Sequence, residues 1–125
     1  MNNKDFDENL EYRISLMRKM LKSKGIEYSV GGDRFSNFKR ASKILQCSPE
    51  KALIGMWIKH VVSVLDMMDE LECKCGTNSD VFPAFEVEEY MGTVEEKIGD
   101  AINYLAILEI IIKERAKPFR GYKHE

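Results

Sequence analysis

The chain lacks any apolar run long enough to span a bilayer. The longest, Ala101 to Ile112, is interrupted by Asn103 and Glu109 and falls well short of the roughly 20 residues a span requires. It also lacks charge of one sign: 19 Lys and Arg stand against 21 Asp and Glu, interleaved, for a net charge of −2. That balance excludes a global basic field able to draw in duplex nucleic acid or an anionic membrane. Cysteines are few and odd in number, Cys47, Cys73 and Cys75, and the first residues, Met1 to Asp7, are polar and acidic rather than leader-like, so the expected compartment is a reducing cytosol. Cys73 and Cys75 stand one residue apart with no second pair, which does not match the usual zinc-ligand spacing. No glycine-rich phosphate loop, dinucleotide fingerprint or nucleophile elbow is present,.

What the chain has is helical periodicity over enough length, 125 residues, to close one hydrophobic core without staples. Leu10, Ile14, Met17 and Leu21 recur at spacings of four, three and four and predict a first helix over about Asp7 to Lys24, stopped by Gly25. A loop at Tyr28 to Gly32 follows, with Gly31 and Gly32 free to take positive φ. A second helix is expected over about Asp33 to Gln46, with Phe35, Phe38, Ala41 and Leu45 on one side. Ser48-Pro49 is a strong start for a third helix running to about Glu72. Its apolar face would hold Leu53, Ile54, Trp57, Val61, Val64, Leu65, Met68 and Leu71, with Lys59, Ser63, Asp66 and Glu70 opposite. Residues 73–92 show no period and read as a long loop. Thr93-Val-Glu-Glu96 matches a capping box and starts a last helix ending near Ala116, before Pro118. The expected fold is all-α: a small bundle of about four helices in a single domain over residues 1–125, with the last helix apolar on nearly every side in its second half, hence deeply buried and packed against a second subunit.

Polar residues on that last helix carry the chemistry. Glu96, Asp100 and Asn103 share a stripe, because spacings of four and three return to one face, and the stripe continues as Ile107, Ile110 and Ile111. A carboxylate at the edge of a packed surface needs a cation, a metal or a ligand donor. Folding the last helix back on the third brings Glu96 and Asp100 toward the level of Asp66 and Asp69, four carboxylates suited to Mg²⁺. Because Asp66 points away from its own apolar face, such a site would be shared across a subunit interface. Taken singly, Glu96 is also explained as a cap and Asp66 as a solvated face. Lys59-His60 lies mid-helix, where Lys59 is suited to a phosphate, and Arg34, Asn37, Lys39 and Arg40 cluster at the start of the second helix, a position that favours anions.

Two segments, Asp33-Arg-Phe-Ser-Asn-Phe-Lys39 and Glu96-Lys-Ile-Gly-Asp-Ala-Ile-Asn-Tyr-Leu105, with Trp57-Ile-Lys-His60 between them, resemble the small phage and prophage proteins of the nucleotide modification associated domain 1 family over roughly Tyr28 to Glu114. The last helix is also similar to the second metal motif of MazG-type all-α nucleotide pyrophosphohydrolases, E-x-x-D followed by an apolar helix with Y-L. Here the position three before Asp100 is Lys97, and the E-x-x-E of the preceding helix has no counterpart in Lys51 to Leu65. Two-metal phosphate chemistry needs the full carboxylate set.

The resemblance, with its incomplete metal set, implies a phage-type cytoplasmic homo-oligomer that binds a nucleotide without hydrolysing it and sequesters a signalling or immune nucleotide against host defence. The implied ligand contacts are Arg34 and Lys59 to phosphate, Asn37, Asp100 and Asn103 to base or ribose, Phe38 and Tyr104 by stacking, and His60 beside them. No cofactor is expected on that reading. Two alternatives stay open: a Mg²⁺-dependent nucleotide pyrophosphohydrolase using Asp66, Asp69, Glu96 and Asp100, and a helical module that only contacts other proteins.

Overall fold

The computed structural model describes residues 1–27, 31–76 and 87–117. Among them stand four helices and no strand: α1 (Asn3–Glu27), α2 (Ser36–Leu45), α3 (Pro49–Cys75) and α4 (Val87–Ala116). The protein is a small all-α bundle. No helix among the described residues is long and apolar enough to cross a membrane.

An antiparallel hairpin of α3 and α4 is the frame. Ser48 caps α3 as its spacing predicts, its side chain accepting a hydrogen bond from the Lys51 N–H at 3.2 Å with proline at the first turn. The register of the hairpin is fixed by polar contacts among the apolar ones. Trp57 Nε1 donates to the Ala101 carbonyl at 3.2 Å, Lys97 Nζ to Ser63 Oγ at 2.6 Å and Tyr90 Oη to Glu70 at 2.9 Å. His60 therefore lies level with Asp100. Leu53 is fully buried, and Met67, Leu71 and Ile111 are buried with it.

Several boundaries differ from expectation for one reason: packing extends helices past local stop and start signals. α1 runs through Gly25 to Glu27, since one glycine costs a helix only about 1 kcal/mol. α4 begins at Val87, six residues before Thr93. Tyr90 anchors that extra turn to Glu70 on α3, so Thr93 lies inside the helix and Glu96 caps nothing. The loop expected over 73–92 is helical at both ends, because α3 also continues to Cys75; residues 77–86 lie outside the described residues, as do 28–30 of the expected loop after α1. Gly31 and Gly32 do take positive φ, 62° and 79°.

The faces are also redistributed. Ser63 and Glu70 of α3 look toward α4 rather than away from it, and Met67 takes the core place that was assigned to Leu65 and Met68, both of which are exposed. The second half of α4 is not enclosed within one chain. Only Ile111 is buried there, while Leu105, Ile110 and Ile112 are about half exposed. On α2, Leu45 points to solvent.

The two remaining helices dock on different helices of the hairpin and both reach one groove. α2 packs on α3, and α1 on α4. Residues 3–12 of α1 are exposed, including Leu10 of its stripe, and contact with α4 begins at Tyr12, whose hydroxyl donates to Glu95 Oε2 at 3.5 Å, and at Arg13. There the guanidinium donates to the Glu95 carbonyl at 3.1 Å and lies directly over buried Gly99, where a Cβ would come within 2.8 Å of Arg13 Nη1. Glycine at that point lets an arginine head meet the α4 backbone.

Candidate ligand groove

The start of α2 is held by Asp33. Its Oδ1 accepts from the Phe35 N–H at 2.9 Å, its Oδ2 from Lys39 Nζ at 2.6 Å, and its carbonyl from the Ser36 N–H at 3.2 Å. The Lys39 hydrogen bond, followed by the Phe35 N–H, holds the Asp33 carboxyl below its ordinary range. Gln46 ends α2 in the left-handed conformation, φ 55°. With both ends tied, α2 presents one edge toward α4 across a gap.

That gap is a groove of about 770 Å³, inside the range of small-molecule sites. From the turn before α2 it receives Arg34; from α2, Asn37, Phe38 and Arg40; from α3, Met56 and His60; from α4, Asp100, Asn103, Tyr104 and Ile107. Met20 and Leu21 of α1 also line it.

Its inner wall is aromatic and polar. The His60 and Tyr104 rings lie 4.7 Å apart, tilted by 33°, and Phe38 meets Tyr104 edge-on at 6.3 Å. His60 Nδ1 is 3.8 Å from Asp100 Oδ2, too long for a hydrogen bond and an ion pair when the imidazole is protonated. Beside them, Asn103 Oδ1 is buried and receives no hydrogen bond among the described residues. An orphaned buried acceptor costs about 1–3 kcal/mol, so the protein carries an unmet demand for an N–H or O–H donor at this wall. The outer rim is cationic. Arg34 reaches the Lys22 carbonyl only at 3.5 Å, and Arg40 makes no ion pair among the described residues, whereas Lys39 is occupied by Asp33.

Of the eight residues expected to meet a ligand, the fold brings seven, Arg34, Asn37, Phe38, His60, Asp100, Asn103 and Tyr104, onto this groove. Lys59 is not among them. One residue before His60 on a helix is rotated by about 100°, and Lys59 stands exposed outside the lining. The second rim cation is Arg40, and its signal was present: Arg34, Asn37 and Arg40 recur every three residues. The contributions of Met20 and Leu21 had no such signal.

The four carboxylates expected to share Mg²⁺ are not gathered within one chain. Asp66 and Asp69 lie six and nine residues beyond His60 on α3, about 9 and 14 Å further along the axis, while Asp100 is level with His60. Among the described residues no group of three or more His, Cys, Asp and Glu could hold a metal ion. Cys47 and Cys73 are free thiols outside the groove lining. The groove thus offers acceptors and rings inside, guanidiniums outside, and, among the described residues, no nucleophilic thiol or serine on its walls. Compared with known protein families, curated proteins and solved structures, the chain matches none.

Proposed function

We propose that the groove binds a phosphorylated nucleoside and holds it unconverted. The observation that carries this is convergence: residues from three helices, far apart in sequence, meet on one groove with the three chemistries a nucleotide needs. Arg34 and Arg40 on the rim supply phosphate contacts, which guanidinium groups make with paired donors. Phe38 and Tyr104 supply faces and edges for a base. Asp100 and Asn103 are acceptors, so the base edge they meet carries N–H donors, as an amino-bearing base does. Asn37, exposed on the rim between Arg34 and Arg40 in sequence, is the group offered to a ribose hydroxyl.

The resemblance of segments 33–39 and 96–105 to phage nucleotide-associated proteins supports the same reading, and with it a role in withdrawing a signalling or immune nucleotide in the host cytosol. The separation of Asp66 and Asp69 from Asp100 along the hairpin counts against pyrophosphohydrolysis. The test is incubation with a panel of linear and cyclic nucleotides and Mg²⁺, followed by denaturation and mass analysis of the released small molecules. Binding with intact recovery is expected. Stoichiometric conversion to monophosphate and pyrophosphate would overturn the reading in favour of the hydrolase, and no binding by any nucleotide would leave a protein-contact module.

A further inference from the structure

Opposite the groove, the α3–α4 hairpin carries an apolar face with no counterpart among the described residues. Groove-lining His60, Asp100 and Tyr104, with the Ser63–Lys97 and Glu70–Tyr90 contacts, mark one flank of the hairpin. At about 100° per residue, Ile54, Val61, Leu65 and Met68 of α3 and Ile98 and Leu105 of α4 fall on the other.

The periodicity of this flank is not that of an ordinary surface. On α3, Ile54, Ile58, Val61, Leu65 and Met68 follow the alternating four-three spacing of a coiled-coil seam, and on α4, Met91, Ile98, Leu105 and Ile112 recur every seven residues. No charge interrupts either series. A 3.5-residue repeat keeps a seam facing a partner helix over many turns, and two adjacent seams on one hairpin are half of a four-helix bundle.

The area fits a partner of the same kind. Ile58 is 53% exposed, Leu65 59%, Leu105 46% and Ile112 51%, with Met68 and Ile54 at 43% and 37%. Together they expose on the order of 500 Å² of apolar side chain, near the upper limit of roughly 300–600 Å² for the largest patch on a monomer. A standard interface buries about 800 Å² per partner, some 60–65% of it apolar, which is also about 500 Å².

We infer that this flank is the interface of a symmetric dimer, in which the hairpins of two copies close into a four-helix bundle. The same seam meets itself across a two-fold axis, as a self-complementary patch does. The contact lies on the flank that α3 and α4 form together, away from Ile107 and Ile110, which line the groove. Both grooves open outward on opposite sides of the bundle, one per chain. The inference stands whether or not the groove takes a nucleotide.

Sedimentation velocity of the full chain at micromolar concentration tests it. The expected mass is about 29 kDa, twice the 14.5 kDa chain; a single-chain mass overturns the inference. Leu65→Glu with Leu105→Glu is expected to sediment as a helical monomer, while Leu45→Glu, exposed on α2 away from the seam, keeps the dimer. A dimer that survives the two glutamates places the contact elsewhere and overturns it. Should the double variant fail to fold, the single tryptophan locates the contact in the wild type. Trp57 bridges α3 and α4 on this flank, so its emission is expected to shift to the red as the dimer dissociates on dilution. Dissociation with no change in Trp57 emission overturns the placement.

Discussion

Replacing Asn103 by leucine should move stability and binding in opposite directions. Asn103 is close to leucine in size and sits half-buried on α4 between Tyr104 and the groove, with Oδ1 buried and unpaired. An acceptor in that state costs about 1–3 kcal/mol. Leucine removes that cost and has a helix propensity better by a few tenths of a kcal/mol; part of the gain is offset by imperfect packing of the branched side chain. A net stabilisation of about 1–2 kcal/mol follows. For a chain of this length each kcal/mol moves Tm by roughly 3–6 °C, so thermal unfolding followed by circular dichroism should show a rise of roughly 3–12 °C. The same substitution deletes the acceptor that a ligand donor is proposed to satisfy, and nucleotide affinity should fall at least about tenfold, the equivalent of 1.4 kcal/mol. Lower stability would mean that the carbonyl is satisfied in solution, and unchanged affinity would mean that no ligand uses it; either result refutes the reasoning.

Arg34→Ala and Arg40→Ala should each weaken nucleotide binding about three- to thirtyfold in a titration, the range of a partly solvent-exposed charged hydrogen bond, while Lys59→Ala stays within about twofold. Gln46→Gly should raise stability by up to about 1 kcal/mol, read as a higher urea midpoint at unchanged slope, because glycine takes the left-handed φ of 55° without the Cβ penalty. Asp33 titrates below its ordinary value of 3.8 in the fold, so its support of α2 is complete above that value and is lost as pH falls through the lower, folded one. Amide exchange at Phe35 and Ser36 should therefore stay protected at pH 4 and open only in more acid solution; loss of protection already near pH 5 would contradict the assigned carboxylate contacts.

How far the sequence could be read depended on whether a signal was local. The Ser48-Pro49 start of α3, the positive φ of Gly31 and Gly32 and the helical content follow from short-range sterics and capping, and all are in the structure. Helix lengths were less legible, because Tyr90 reaching Glu70 and the hairpin packing extend α4 past a valid capping pattern at Thr93. The polar residues of the groove were legible since each is out of place for a plain surface or a plain core: Asp100 and Asn103 on an otherwise apolar stripe, Asn37 and Arg34 at a helix start. Lys59 was misplaced because a neighbouring residue in sequence is a quarter-turn away in space. The role of α1 was illegible, since Arg13 meets a backbone carbonyl and a bare glycine at residue 99, neither of which leaves a pattern in side-chain types. The outer seam was partly visible as apolar residues. Only the hairpin register showed that they lie on the side away from the groove.

Chemical-shift mapping of the isotope-labelled protein titrated with amino-bearing nucleoside phosphates tests the central claim most directly. The groove account predicts saturable shifts centred on Arg34, Asn37, Phe38, His60, Asn103 and Tyr104, with the seam residues Ile58 and Leu65 unmoved. Shifts centred on the seam, on Lys59 and Asp66, or nowhere would contradict it.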